Sequence, residues 1–79
     1  MRWNSPELAS LIDDARRRFI HSGIASPDVD ATLIAAALLG ESSHLALRFY
    51  SPDQIPDSFP AEFYEAVERR EKREPLQHI

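Results

Sequence analysis

The chain has 79 residues, which allows one domain and no more. Its 43% apolar and 28% charged residues suit a packed domain rather than a disordered tail. A net charge of −4 argues against direct nucleic-acid binding, which depends on Lys and Arg neutralising phosphates.

The absence of cysteine removes disulfides and thiolate metal ligands and makes a cytoplasmic protein the expectation. Met1 to Pro6 lacks the apolar core of a signal peptide. The uncharged run Ala31 to Gly40 is too short to span a bilayer, so no membrane partner is expected.

The first predicted helix runs from Ser5 to Ser22. Asn4 or Ser5 can cap it, and Pro6 suits a first turn whose N–H groups have no partner. Leu8, Leu11, Ile12, Ala15 and Phe19 form one apolar stripe, with Asp13–Arg17 and Asp14–Arg18 paired on the wet side. Gly23 ends it.

The second helix starts at Ser26-Pro27 and ends at Gly40. Asp28 and Asp30 lie in its first turn, where negative charge favours the helix dipole. Ala31 to Leu39 carries no charge, and a helix apolar on nearly all sides is usually surrounded by others. It is therefore expected to be central, with Leu33 in the core.

Ser42 or Ser43 can cap a short third helix, His44 to Tyr50, with Leu45 and Phe49 pointing inward. Ser51-Pro52-Asp53 and Ile55-Pro56-Asp57 then read as a loop. The fourth helix runs from Ser58 to Arg73. Phe59, Phe63, Ala66 and Val67 form its apolar face, and Glu65–Arg69 and Glu68–Lys72 its ion pairs. Pro75 bars helix at Glu74, while Leu76 and Ile79 can start a further turn. No stretch alternates at strand period. The expected fold is all-α, four to five helices around a central apolar one.

No catalytic constellation is present. His21, His44 and His78 are more than twenty residues apart, with no partner at metal-ligand spacing. Glu62, Glu65, Glu68, Glu71 and Glu74 drift around their helix rather than converging on a pocket. Gly23 and Gly40 are both needed to end helices, which leaves none for a glycine-rich cofactor loop. No catalytic, cofactor or metal residue is assigned in this chain.

Three segments, in order, resemble the N-terminal helical domain of the HemK family. They are Gly23 to Ala31 with Leu33, Ile34 and Leu38-Leu39-Gly40; then Ser42-Ser43-His44-Leu45; then Val67-Glu68-Arg69-Arg70 leading into Arg73-Glu74-Pro75-Leu76-Gln77-His78-Ile79. Members are protein-(glutamine-N5) methyltransferases. They methylate the side-chain amide of the glutamine in the Gly-Gly-Gln motif of peptide-chain release factors, using S-adenosylmethionine. The resemblance implies a parent enzyme with a Rossmann-like catalytic domain that lies outside this chain. Its glycine-rich loop and Asn-Pro-Pro-Tyr motif have no counterpart here, since the only asparagine, Asn4, precedes Ser5.

By that resemblance, residues 1–79 are a substrate-docking domain, and its partners are the release factor and the parent's own catalytic domain. The apolar end after a helix-breaking proline reads as a cut between domains. Arg69, Arg70, Arg73, Leu76 and Ile79 are then the interdomain or partner edge.

Two other readings compete. In a nucleic-acid-binding module, Gly40 to Ser43 would be the turn of a helix-turn-helix, but His44 to Tyr50 offers only Arg48 as a strong contact. In a dimerisation module, Phe59, Phe63 and Leu76 would form the interface.

Overall fold

A computed structural model describes residues 3–76. Five helical elements follow one another. They are α1 (Pro6–His21), α2 (Pro27–Leu39), a 3-10 helix (His44–Phe49), a single 3-10 turn (Pro52–Gln54) and α3 (Phe59–Glu71). There is no strand among the described residues. The fold is the expected small all-α bundle, and α2 packs against α1, α3 and the longer 3-10 helix.

Local chemistry sets the boundaries. Ser5 caps α1, its side chain accepting from the Leu8 N–H at 3.2 Å. Gly23 and Gly40, at φ +75° and +74°, close α1 and α2 in the left-handed conformation. After α1, the Ile24 N–H returns to the Phe19 carbonyl; after α2, the Glu41 N–H returns to that of Ala36. Leu8, Ile12, Ala15 and Phe19 of α1 meet Ala31, Ile34 and Ala35 of α2 and Phe59, Phe63, Ala66 and Val67 of α3 in one core. The alanines give α2 room for close neighbours. Phe59 and Phe63 stack with ring centroids 5.4 Å apart. Both are buried in the core, so they are not available as a dimer interface.

Three expectations fail. Leu33 is not core: it is 40% exposed. The apolar residues of α2 are spread all round it, while its neighbours cover only the side carrying Ala31, Ile34 and Ala35. An apolar face of α2, with Val29, Leu33 and Ala37, therefore remains outward.

The third element is 3-10 rather than α, and Leu47 is its buried residue. Leu45 and Phe49 are 55% and 68% exposed. At three residues per turn, the α-helical spacing of four between them no longer marks one inward face. This six-residue 3-10 segment is also a poor recognition helix.

Finally, α3 stops at Glu71, before Pro75 can act. Arg73 turns left-handed at φ +72°, and its N–H bonds the Arg70 carbonyl while the Glu74 N–H bonds that of Arg69.

The surface pairs also shift. Asp13 pairs with Arg17 at 2.5 Å as expected, and with Arg16 at 2.9 Å. Arg18 turns from Asp14 to Glu71 across the helix interface, at 2.6 Å, and lies 5.8 Å from the Tyr64 ring centroid. The Glu71 hydrogen bond raises the Arg18 pKa. Arg69 bonds Glu74, from beyond its own helix, and Glu65 adds a further electrostatic attraction.

Candidate functional site

The last turn of α3 brings Arg69, Arg70 and Arg73 to one corner, and each has partners within the domain. Arg69 grips Glu74 with two hydrogen bonds, at 2.9 and 3.0 Å, which raise its pKa. Arg70 Nε donates to Asp30 Oδ2 at 2.9 Å, and its Nη1 to the Glu74 carbonyl at 3.0 Å. Asp30 is only 5% exposed. The side chain read from sequence as a helix-dipole partner is thus a buried anchor between α2 and α3.

Arg73 Nη2 donates to the Ser22 carbonyl at 2.6 Å. It thereby caps the end of α1 from the end of α3. Together the three arginines tie the end of α3 and Glu74 to the start of α2 and the end of α1.

Leu76 comes just past this corner, half-buried against the core. With Leu33, Ile34, Ala37 and Leu38 it lines an open depression of about 140 Å³. The depression continues the bare face of α2, so Leu76 joins a larger apolar surface than the sequence edge contained. Leu33 and Leu38 are the members that sequence reasoning missed. The signal was present in the even spread of apolar residues around α2, which leaves any outward face apolar. Ile79 lies outside the described residues, as does the further turn from Leu76 to Ile79.

This depression does not fit S-adenosylmethionine, which needs partners for a ribose, an adenine, a cationic sulfur and an amino-acid head. The depression is small beside ligand pockets of roughly 300–1,000 Å³, and its lining side chains are all aliphatic. Gly23 and Gly40 both close helices. Among the described residues no three His, Cys, Asp or Glu side chains converge as metal ligands, and no helix is long and apolar enough to cross a membrane. What the arrangement offers is an exposed apolar face of α2 beside a corner tied down by three arginines.

Comparison with known proteins agrees with the resemblance in the sequence. The family model described as the PrmC N-terminal domain matches residues 10–79. A protein of Corynebacterium glutamicum named release factor glutamine methyltransferase is 49% identical over 73 residues, covering 91% of this chain and 24% of its own length. The proteins of that name from Streptomyces coelicolor and Deinococcus radiodurans are 38% and 33% identical over 73 residues, covering 91% and 92% of the chain and 24% and 26% of their own lengths. The chain thus spans about a quarter of the length of the curated relatives it matches. No solved structure is significantly similar to it. With the family model covering most of its length and the helical fold in place, the chain belongs to the PrmC N-terminal domain family.

Proposed function

We propose that this chain is the accessory, substrate-docking domain of a methyltransferase that modifies the Gly-Gly-Gln glutamine of peptide-chain release factors. On this reading it contributes no catalytic group. S-adenosylmethionine and the chemistry belong to the catalytic domain of the parent protein, and the activity is an enzyme's only in that parent.

The observation that carries the docking role is the apolar face of α2. Val29, Leu33, Ala37 and Leu38 stay outward although the domain has its own closed core. Contiguous exposed apolar surface of this kind usually marks an interaction site. Leu76 places the chain exit at the rim of that face, so the remainder of the parent polypeptide is its nearest occupant. Arg69, Arg70 and Arg73 support the edge by holding the exit rigid, and Leu76 touches what lies beyond. A rigid tethered domain presents the substrate at high effective concentration and in a fixed orientation, which favours reaction of a whole-protein substrate over a peptide.

The test is methyl transfer by the parent protein carrying Leu33→Asp and Leu76→Asp. Mass spectrometry would follow the Gly-Gly-Gln glutamine in intact release factor and in a short peptide. Intact release factor should lose about tenfold or more in kcat/KM, a loss of about 1.4 kcal/mol of positioning. The peptide should react nearly as before. Equal effects on both substrates, or none on either, would remove the docking role.

A further inference from the structure

We infer that a second groove, on the opposite side of the bare α2 face from Leu76, docks a protein segment presenting a carboxylate beside an aliphatic side chain. This rests on the substrate-docking reading and gives it a second contact. Trp3, Val29, Thr32, Leu45 and Arg48 line the groove, whose volume is about 330 Å³.

Charge pairing points to this place. Among the described arginines, Arg16 and Arg17 bond Asp13, Arg18 bonds Glu71, Arg69 bonds Glu74, Arg70 bonds Asp30 and Arg73 bonds the Ser22 carbonyl. Arg48 is the one described arginine whose guanidinium meets neither a carboxylate nor a carbonyl. It lies 5.9 Å from the centroid of the Phe49 ring, itself largely exposed. A guanidinium held against an aromatic face keeps its donors for a partner, and arginine with aromatic neighbours is a frequent centre of binding energy.

The walls are apolar and already fixed. Val29 and Leu45 are each more than half exposed. The Thr32 hydroxyl is bonded to the Asp28 and Val29 carbonyls of its own helix. The arm carrying Trp3 is fastened by Asn4, whose N–H donates to the Arg48 carbonyl at 2.9 Å and whose side chain donates to that of Phe49 at 3.2 Å. Buried Leu47 anchors the 3-10 helix beneath. Binding here requires little ordering of the domain.

Asp28 and His44 also line the groove, and the Asp28 carboxylate is offset by Arg16, whose Nε lies 3.8 Å from it. One arginine in a chain of net charge −4 favours a single carboxylate over a nucleic-acid backbone, which needs several cations.

Trp3 is the only tryptophan of the chain, so its indole N–H is a unique reporter. The nitrogen-15-labelled 79-residue chain would be titrated with unlabelled intact release factor and, separately, with a single-stranded RNA. Release factor should move the Trp3 indole and the Val29, Leu45 and Arg48 amide signals. Arg48→Glu and Leu45→Asp should each weaken binding about tenfold or more, with the remaining spectrum unchanged. Arg48→Lys should keep part of the affinity. Shifts confined to Leu33 and Leu38 would overturn the groove while leaving the docking function standing. An equal response to RNA would overturn the protein partner. An absence of shifts would also overturn the groove, and the function would still be judged by methyl transfer in the parent protein.

Discussion

Arg70→Ala should cost this domain most of its stability. It removes the guanidinium from Asp30, whose side chain is 7% exposed and 2.9 Å from Arg70 Nε. Breaking one side of a buried pair costs about 3–5 kcal/mol, because the remaining charge has lost both water and partner. Arg70 retains 23% side-chain exposure, which lets some water enter after truncation, so the lower end, about 3 kcal/mol, is expected.

A domain this small has a total stability near the bottom of the usual range, about 5 kcal/mol. Each kcal/mol lowers Tm by about 4–8 °C at this size, so the melt should fall by roughly 12–24 °C. Far-UV circular dichroism of thermal and urea unfolding measures this. Asp30→Asn alone should also destabilise, and the double variant should lose less than the sum of the two, with a coupling above about 1 kcal/mol. Arg17→Ala, which opens the exposed pair with Asp13, should change stability by less than about 0.5 kcal/mol. A loss below about 1 kcal/mol for Arg70→Ala, or additive single variants, would refute the role given to this pair.

Leu47→Ala should cost about 2–5 kcal/mol and Leu33→Ala less than about 1, since Leu47 is fully buried and Leu33 is not; a reversed order in urea melts would contradict the packing. Arg73→Ala should be less stable than Arg73→Gly by about 1 kcal/mol, because both lose the bond to Ser22 and only glycine relieves the left-handed backbone. Equal stabilities would show that this position carries no strain. Tyr50, hydrogen-bonded to Glu41, and Tyr64, pushed mainly by burial, both have pKa values above the ordinary 10.0. The unfolded chain therefore releases these protons first, so their contribution to stability is complete below pH 10 and fades as pH rises through the folded values. Phenolate absorbance should show both ionising above pH 10, and a midpoint at or below 10 for either would contradict its assigned environment.

The parts of the fold legible in the sequence are those governed by neighbours along the chain. Ser5 before Pro6, the glycines at 23 and 40, and the stripe Phe59, Phe63, Ala66 and Val67 carry their structural reasons within one or two turns. The burial of Leu33 was misread because even apolar spacing around α2 does not say which side its neighbours leave bare. Leu45 and Phe49 were misplaced because their spacing has meaning only at 3.6 residues per turn, and the segment winds at three. The Arg70–Asp30 bond joins residues 40 apart, and no local pattern marks it. Of the expected edge, the proximity of the arginines was readable from their shared helix turn. Their individual partners, and the addition of Leu33 and Leu38 to Leu76, required the tertiary arrangement.

The most direct measurement of the claim that the α2 face seats this domain on the remainder of the parent protein is the accessibility of position 37 on that face. The chain contains no cysteine, so Ala37→Cys introduces a single thiol that mass spectrometry can follow at peptide level. In the isolated 79-residue chain this thiol should alkylate almost as fast as one at an exposed control position such as Ala61. In the parent protein it should react about tenfold or more slowly at position 37 alone, a protection of about 1.4 kcal/mol. Equal alkylation of position 37 in the isolated chain and in the parent protein would show that nothing in the parent covers the α2 face.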